Sequence, residues 1–183
     1  MGRSGTLERL FLGLWPPVEL GAQIASMSRG LALESGRLIA PTNLHMTLAF
    51  LGDCDAARRA CVENAAASGT VPAFNLHLVA IQWRRRTGIV WLAAPEVPEP
   101  LTQLMASLNR ALASCGYAPD ARPFRAHVSV ARHVRRLRGK PTIAPIEWCV
   151  RDYCLASSTP TPRGSDYTVV KRWPLGERSG ASG

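Results

Sequence analysis

Two short segments of the 183-residue chain each carry a histidine that is followed two residues later by a hydroxyl side chain. The first pair is His45 with Thr47, and the second is His127 with Ser129. Side chains alternate across a β-strand, so both members of a pair are expected to share one face of their strand. The apolar residues between them would face the other way and anchor each strand in a core.

Two imidazoles on opposite sides of a cleft could open a cyclic phosphodiester. One would take a proton from water and the other would give a proton to the departing ribose oxygen, which histidine can do near neutral pH. The hydroxyls of Thr47 and Ser129 would donate to the phosphate oxygens on which negative charge accumulates. We predict no metal and no cofactor, because the sequence has neither a carboxylate cluster nor a glycine-rich nucleotide loop.

A single histidine with a nearby hydroxyl would be weak support for catalysis, because a strand histidine is more often a surface or core residue. Here the pair occurs twice, 82 positions apart, and each copy ends a unit of strand, amphipathic helix and strand. The predicted elements cover residues 10–15, 18–34 and 44–51 in the first unit and 89–94, 101–112 and 126–132 in the second. The first helix is expected to end near Gly36.

The predicted fold class is α+β, with two similar lobes, mainly antiparallel sheets, outer helices and an active-site cleft between the lobes. Further predicted elements are a helix that follows Asp53 or Asp55 and strands near residues 74–83, 148–156 and 167–173. No linker-like stretch separates the halves. We therefore predict a single two-lobed domain over residues 1–175, followed by a flexible tail over residues 176–183.

The chain is strongly basic, with 22 Lys and Arg against 13 Asp and Glu and a formal net charge of +9. A positive field attracts phosphates, although a solvated surface without a partner is an equal alternative from charge alone. Arginine clusters at residues 84–86 and 132–140 could guide an RNA backbone or be solvated turns. No apolar run is long enough to cross a bilayer, and the five cysteines lack zinc-module spacing. We predict a cytoplasmic monomer with reduced thiols and no membrane partner.

The segments around both histidines resemble the motifs of the two-histidine phosphoesterase superfamily. Residues 43–52 (NLHMTLAFLG) and 122–132 (RPFRAHVSVAR) are most similar to the paired HxTx motifs of the RNA 2′,3′-cyclic phosphodiesterases, also called 2′-5′ RNA ligases. Other similar segments lie at residues 9–17 (RLFLGLWPP), 82–83 (QW), 90–92 (VWL), Tyr167 and 171–175 (KRWPL). The resemblance spans about residues 9–175.

This resemblance implies a metal-independent hydrolase that converts RNA 2′,3′-cyclic phosphate ends to 2′-phosphates. It implies that His45 and His127 are the catalytic pair, that Thr47 and Ser129 hold the phosphate, and that RNA ends or small cyclic nucleotides are substrates. The family usually has threonine where this chain has Ser129, which keeps the hydroxyl donor. It often has proline where this chain has Ala126, a difference that concerns the strand rather than the chemistry.

Two further residues are predicted to bind substrate. The family match marks Arg132 as a phosphate or base contact, although it lies five residues after His127 and strict alternation would point it away. A bulge or a strand end could reconcile the two expectations. Phe11 is a candidate for stacking on a base or lining the cleft, with a core aromatic as the equal alternative.

Three alternatives stay open at the level of sequence. The resemblance suggests that His127 is the base and His45 the acid, but the near-identical motifs fit the reverse assignment equally well. An ATP-independent 2′-5′ RNA ligase or cleavage activity would use the same site. A non-catalytic RNA-binding module on the same fold would explain the charge alone.

Overall fold

The computed structural model describes residues 6–118, 123–139, 141–162 and 164–177. Its helices are α1 (Val18–Arg29), α2 (Ala56–Ala66) and α3 (Glu99–Ala113). Its strands are β1 (Glu8–Leu14), β2 (Leu33–Glu34), β3 (Arg37–Leu38), β4 (Met46–Cys54), β5 (Phe74–Leu78), β6 (Ala80–Arg84), β7 (Ile89–Ala93), β8 (His127–Arg132), β9 (Arg136–Leu137), β10 (Ile146–Val150), β11 (Asp152–Thr161) and β12 (Gly164–Pro174).

Two four-stranded antiparallel sheets form the two halves of the molecule. The first sheet has the strand order β12-β11-β1-β4, and the second has the order β3-β8-β7-β6. Two antiparallel pairs, β5 with β10 and β2 with β9, complete the pairing among the described strands. The prediction of an α+β fold with mainly antiparallel sheets is confirmed.

The repeated unit that the sequence predicted is present in both halves. Each unit has a strand, then a helix, then the strand at the histidine motif; His45 directly precedes β4 and His127 begins β8, and β2 and β3 intervene only in the first unit. The first and last strands of each unit are antiparallel neighbours: β1 with β4, and β7 with β8. Strands β4 and β8 contact each other where the two sheets meet. The helices cross between the units, because α1 contacts β3 and β8 of the second sheet, while α3 packs on α2, which contacts β4. The cleft between the two histidine strands is therefore bordered by both halves.

The helices bury the apolar stripes that their sequences predict. In α3 the stripe at i, i+3 and i+7 spacing is 0–3% exposed; it consists of Leu101, Leu104, Leu108 and Leu112. Burying one such leucine contributes about 1.5–3 kcal/mol relative to leaving it exposed. In α2 the side chain of Asp55 accepts a hydrogen bond from the Arg58 N–H, as an N-cap should.

Helix α1 is shorter than its apolar pattern suggested. It ends at Arg29, and the N–H of Gly30 closes the last turn onto Met27 and Ser28. The chain then forms β2 and turns at Ser35 and Gly36, both with positive φ, into β3. Gly36 therefore serves a strand-to-strand turn, because left-handed backbone is adopted most easily by glycine.

Two long predicted strands are each divided between sheets. The strand predicted at residues 74–83 is β5 and β6, separated at Val79, and the strand predicted at 148–156 is β10 and β11, separated at Arg151. In both cases the chain leaves the β5–β10 pair and continues in one of the four-stranded sheets.

The prediction that the cysteines are all reduced is wrong. Cys61 of α2 and Cys115, just beyond α3, form a disulfide bond, because the two helices pack side by side. Cys54, Cys149 and Cys154 are free thiols.

At the C-terminal end of the described chain, Gly176 pairs with the backbone on both sides of Pro72, so the ordered pairing continues one residue beyond the expected domain boundary. The remainder of the expected tail, residues 178–183, lies outside the described residues.

Candidate active site

A β-bulge follows the hydroxyl residue in each histidine strand. In β4 the register with β1 passes from Gly13 opposite Thr47 to Leu12 opposite Ala49, which leaves Leu48 as the extra residue. In β8 the register with β7 passes from Trp91 opposite Ser129 to Val90 opposite Ala131, which leaves Val130 as the extra residue. A bulge reverses the alternation of faces beyond it. The two bulges occupy equivalent positions, 82 residues apart.

Before each bulge, the side chains alternate as the sequence predicts. His45 and Thr47 are half-buried at the cleft, whereas Met46 is fully buried. His127 and Ser129 are half-buried in the same way, with Val128 fully buried behind them. The two histidine–hydroxyl pairs therefore lie on the cleft sides of neighbouring strands.

Each imidazole is oriented by a backbone carbonyl two residues earlier. His45 Nδ1 donates to the Asn43 carbonyl oxygen at 2.8 Å, and His127 Nδ1 donates to the Arg125 carbonyl oxygen at 2.7 Å. A carbonyl can only accept, so Nδ1 carries the hydrogen in both rings. The Nε2 atom of each ring is then left to accept or donate a proton at the cleft.

Aromatic rings enclose His45. The ring of Trp15 stacks on it at 5.1 Å between centroids, and the rings of Phe11 and Tyr167 contact it at 4.9 and 4.8 Å. Asn43 fixes one part of this enclosure, because its amide donates to the Ser165 carbonyl at 3.0 Å and its Oδ1 accepts from the Tyr167 N–H at 3.3 Å. Among the described residues, His127 has one aromatic neighbour, Trp91, whose ring centroid lies 6.0 Å from that of the imidazole.

The enclosure lowers the pKa of His45 to about 4. Burial is the largest cause, because it penalises the charged imidazolium. The hydrogen bond to the Asn43 carbonyl acts in the opposite direction, and the positive charges of Arg132 and His127 lower the pKa further. Arg132 thus contributes to the lowered pKa of His45, but desolvation contributes more.

The hydroxyls beside the histidines are available to a ligand. Among the described residues, neither the Thr47 nor the Ser129 hydroxyl has a hydrogen-bond partner. Every buried side-chain polar atom of the same residues does have a partner, so these two hydroxyls are not among the buried atoms. Both hydroxyls therefore face the open cleft.

Arg132 points toward the cleft in spite of its odd offset from His127. The bulge at Val130 makes Val130 and Ala131 both fully buried, and this returns Arg132 to the face of Ser129. Its Nη2 lies 3.4 Å from the Tyr167 hydroxyl, and its charge acts on His45. Strict alternation of side chains would point Arg132 away from the cleft, and the bulge at Val130 is the feature that turns it toward the cleft.

The corresponding position in β4 is Phe50, which the sequence analysis did not select. Phe50 lies 82 positions before Arg132 and follows the other bulge. It is 81% exposed and lies directly opposite Phe11 in the ladder, so both rings share the face that carries His45. Phe11 itself is only 3% exposed and packs against His45. The open aromatic surface at this site is therefore Phe50, and Phe11 supports the imidazole from behind.

Several residues of the site were visible in the sequence only as parts of larger segments. Trp15, Asn43, Trp91 and Tyr167 lie in or beside the segments that carry the resemblance, but no periodicity brings them to the histidines. The part of the chain that the structure describes contains no group of three His, Cys, Asp or Glu residues that could hold a metal ion. Nor does it contain a helix long and apolar enough to cross a membrane.

Comparison with known proteins gives a consistent result across nearly the whole chain. The family model of the 2'-5' RNA ligase superfamily matches residues 16–155. The RNA 2',3'-cyclic phosphodiesterase of Escherichia coli strain K12 is 33% identical over 174 residues, which cover 92% of this chain and 97% of that protein. The protein of the same name from Archaeoglobus fulgidus is 29% identical, with 89% and 98% covered. A solved structure of E. coli LigT complexed with 3'-AMP is 31% identical with a TM-score of 0.80, covering 93% of this chain and 99% of the other.

Proposed function

The chain belongs to the 2'-5' RNA ligase superfamily, and from that premise we propose that it hydrolyses RNA 2′,3′-cyclic phosphate ends to 2′-phosphates. The observation that carries the proposal is the pair of imidazoles, each held at Nδ1 by a carbonyl and each with Nε2 available at one cleft. The names of relatives that cover nearly the whole chain support the substrate class.

In the proposed reaction, His127 Nε2 removes a proton from water as the water oxygen bonds to phosphorus. The bond from phosphorus to O3′ breaks on the opposite side, and His45 Nε2–H gives its proton to O3′. The product has a 2′-phosphate and a free 3′-hydroxyl. Thr47, Ser129 and Arg132 donate to the non-bridging oxygens, where charge accumulates.

The difference in enclosure supports this division of labour. His127 is the more open of the two rings, so solvent reaches it and can supply the attacking water. His45 is surrounded by aromatic rings, and water that would compete for its proton is excluded. A pKa of about 4 leaves His45 neutral in the empty site, so the acid role requires that it gain a proton with substrate. The negative phosphodiester favours that proton by offsetting the positive charge of Arg132.

The test is turnover of a nucleoside 2′,3′-cyclic phosphate in the presence of EDTA, with product analysis. We expect the 2′-phosphate from the wild type and a loss of at least about 10²-fold in kcat for His45→Ala and for His127→Ala. His77→Ala is the matched control, because His77 is an exposed strand histidine on β5, outside the described site. Turnover that survives both substitutions would refute the site, and loss of wild-type turnover in EDTA would indicate a metal-dependent mechanism.

Repeating the assay with an RNA oligonucleotide that ends in a 2′,3′-cyclic phosphate separates the other candidate activities. Joining or cleavage of 2′-5′ linkages would be detected as a change in RNA length, whereas hydrolysis changes only the terminal phosphate. RNA binding without turnover would favour a non-catalytic module. We further propose a cytoplasmic monomer that acts without metal or cofactor. The Cys61–Cys115 disulfide bond counts against the cytoplasmic location, because disulfide bonds are rare in reducing compartments, and finding this bond oxidised in protein taken from the cell would refute that location. Analytical ultracentrifugation at micromolar concentration tests whether the protein is a monomer.

A further inference from the structure

Two arginines lie directly opposite each other beside the proposed site. Arg37 of β3 is the register partner of Arg132 of β8, so both side chains project from one face. Like charges in this arrangement repel, and within the described part of the chain neither arginine has an ion pair with a carboxylate. An anion between the two guanidinium groups would remove the repulsion.

A cavity of about 320 Å³ lies against these arginines. Arg37 and Arg132 both line it, together with Asn43 and Tyr167, whose ring contacts His45. Strand β12 supplies the far wall through Gly164, Ser165 and Asp166. The cavity thus continues from the cleft into the space between the first and second sheets.

The guanidinium group of Arg37 lies between the backbone of β12 and the side chain of His133. A Cβ atom on Gly164 would lie 2.8 Å from Arg37 Nη2, so the guanidinium packs directly against the β12 backbone at this glycine. On its other side Arg37 Nη2 lies 3.5 Å from His133 Nε2. His133 has a φ of 58°, a conformation that is unfavourable for a side chain with a Cβ and that sets the imidazole beside Arg37.

Two arginines and one aspartate line the cavity, so its lining has a net positive charge, whereas basic side chains on and beside the first sheet are paired with carboxylates. There, Arg59 and Lys171 share Glu63, and Arg172 pairs with Asp152. The aspartate of the cavity is Asp166, which is exposed and, among the described residues, has no ion pair with either arginine. The residue 84–86 arginine turn adjoins the same region, because the Val134 N–H donates to the Gly88 carbonyl at 2.9 Å.

We propose that this cavity, with Arg37 as its main cation, binds the phosphodiester on the 5′ side of the terminal nucleotide. The inference rests on the proposed hydrolysis of cyclic phosphate ends and specifies its substrate class. The protein acts on the 3′ ends of RNA chains in preference to free cyclic mononucleotides, since a mononucleotide has no phosphodiester to fill the cavity.

The test compares kcat/KM for a cyclic mononucleotide with kcat/KM for a trinucleotide that ends in a 2′,3′-cyclic phosphate. We expect the wild type to prefer the trinucleotide by about 10-fold or more, the range of one hydrogen bond to a charged group. Arg37→Ala should lose about 10-fold on the trinucleotide and less than about 2-fold on the mononucleotide, and Arg37→Lys should recover part of the loss. Arg110→Ala, which removes an exposed arginine of α3, controls for net charge.

A second readout distinguishes phosphate binding from a structural role. Replacing the penultimate phosphodiester by an uncharged methylphosphonate should remove the preference in the wild type and change nothing further in Arg37→Ala. The dependence of log(kcat/KM) on log[salt] for the trinucleotide should become shallower by about 0.7 in Arg37→Ala, the value for one phosphate of a single strand. Equal losses on both substrates, or a wild type without any preference, would overturn the proposal.

Failure of the proposed function can be told apart from failure of this subsite. If no cyclic phosphate is turned over, the hydrolase proposal fails, and the subsite is then scored by fluorescence anisotropy with a trinucleotide ending in a 2′-phosphate. A Kd that rises about 10-fold in Arg37→Ala and not in Arg110→Ala supports the subsite, and an unchanged Kd refutes it.

Discussion

The rings around His45 set its protonation state before substrate arrives. Trp15 and Tyr167 remove water from one imidazole, whereas His127, on the matching strand, keeps access to solvent. The two motifs are nearly identical in sequence, but their neighbours give the two imidazoles different access to water. The lowered pKa keeps His45 neutral in the empty site, so His45 becomes the general acid only when the bound phosphodiester favours its imidazolium form.

We expect the His45 ring of the free protein to titrate near its lowered pKa of about 4, and Trp15→Ala to raise that midpoint. Burial favours the neutral ring, so opening the enclosure to water moves the pKa upward toward its ordinary value. NMR titration of the histidine Cε1–H signals, assigned with single His variants, measures this. Trp91→Ala, beside the other histidine, should leave the His45 midpoint in place. A wild-type midpoint near 6.5 for His45 would contradict the desolvation account.

Phe50 is expected to act on binding rather than on the chemical step. An exposed ring on the site face offers a surface on which a nucleobase can stack, a contact that contributes about 1–3 kcal/mol. Phe50→Ala should therefore raise KM by about 10-fold with little change in kcat, and Phe50→Tyr should retain most of the affinity. Val18→Ala, which alters an equally exposed apolar residue of α1, should leave KM unchanged. A fall in kcat alone would exclude the stacking role.

At the level of elements, the two bulges and the helix pair determine the geometry of the cleft. Each bulge reverses which side of its strand faces the site, so the residue five positions beyond the histidine joins it there. Close approach of β1 and β4 at the first bulge also requires glycine, because a Cβ on Gly13 would lie 3.0 Å from the Met46 carbonyl oxygen. On the other side of β4, α2 and α3 are joined covalently.

The disulfide bond is expected to stabilise the fold without affecting the site. It closes a loop over a sequence separation of 54 residues, for which the chain-entropy relation gives about 4 kcal/mol. A variant with Cys61→Ser and Cys115→Ser should have a free energy of unfolding about 2–4 kcal/mol lower in oxidising buffer and equal to that of the wild type in reducing buffer. Urea denaturation measures both, with Cys149→Ser as the free-thiol control. Equal stability of wild type and double variant in oxidising buffer would rule out a stabilising role.

The periodicity of the sequence predicted the features that depend on a single element, such as which side chains share one face of a strand. Alternation is a property of one strand, so it was sufficient to assign His45 and Thr47 to one face. The extra residue at Leu48 depends on which strand pairs with β4, and the pairing of Cys61 with Cys115 depends on how two distant helices pack. Long-range contacts of this kind have no local signal. The same limit explains why Phe50 was not recognised.

For the whole molecule, the crossing of helices ties the two halves together. Helix α1 leaves the first sheet and packs on the second, and the β5–β6 and β10–β11 segments pass between layers at single residues. Contacts of this kind oppose separation of the histidine strands. The proposed substrate therefore meets a cleft whose two sides are already fixed relative to each other, which reduces the reorganisation needed in the reaction.

The matching bulges also bear on the ancestry of the molecule. A histidine, a hydroxyl, an inserted residue and a side chain directed toward the cleft recur at one constant offset on two strands, each of which pairs with the first strand of its unit. Duplication and fusion of a half-length gene would leave this pattern. Fusion would then have freed each copy to diverge, one toward an aromatic enclosure with Phe50 and the other toward Arg132 and solvent.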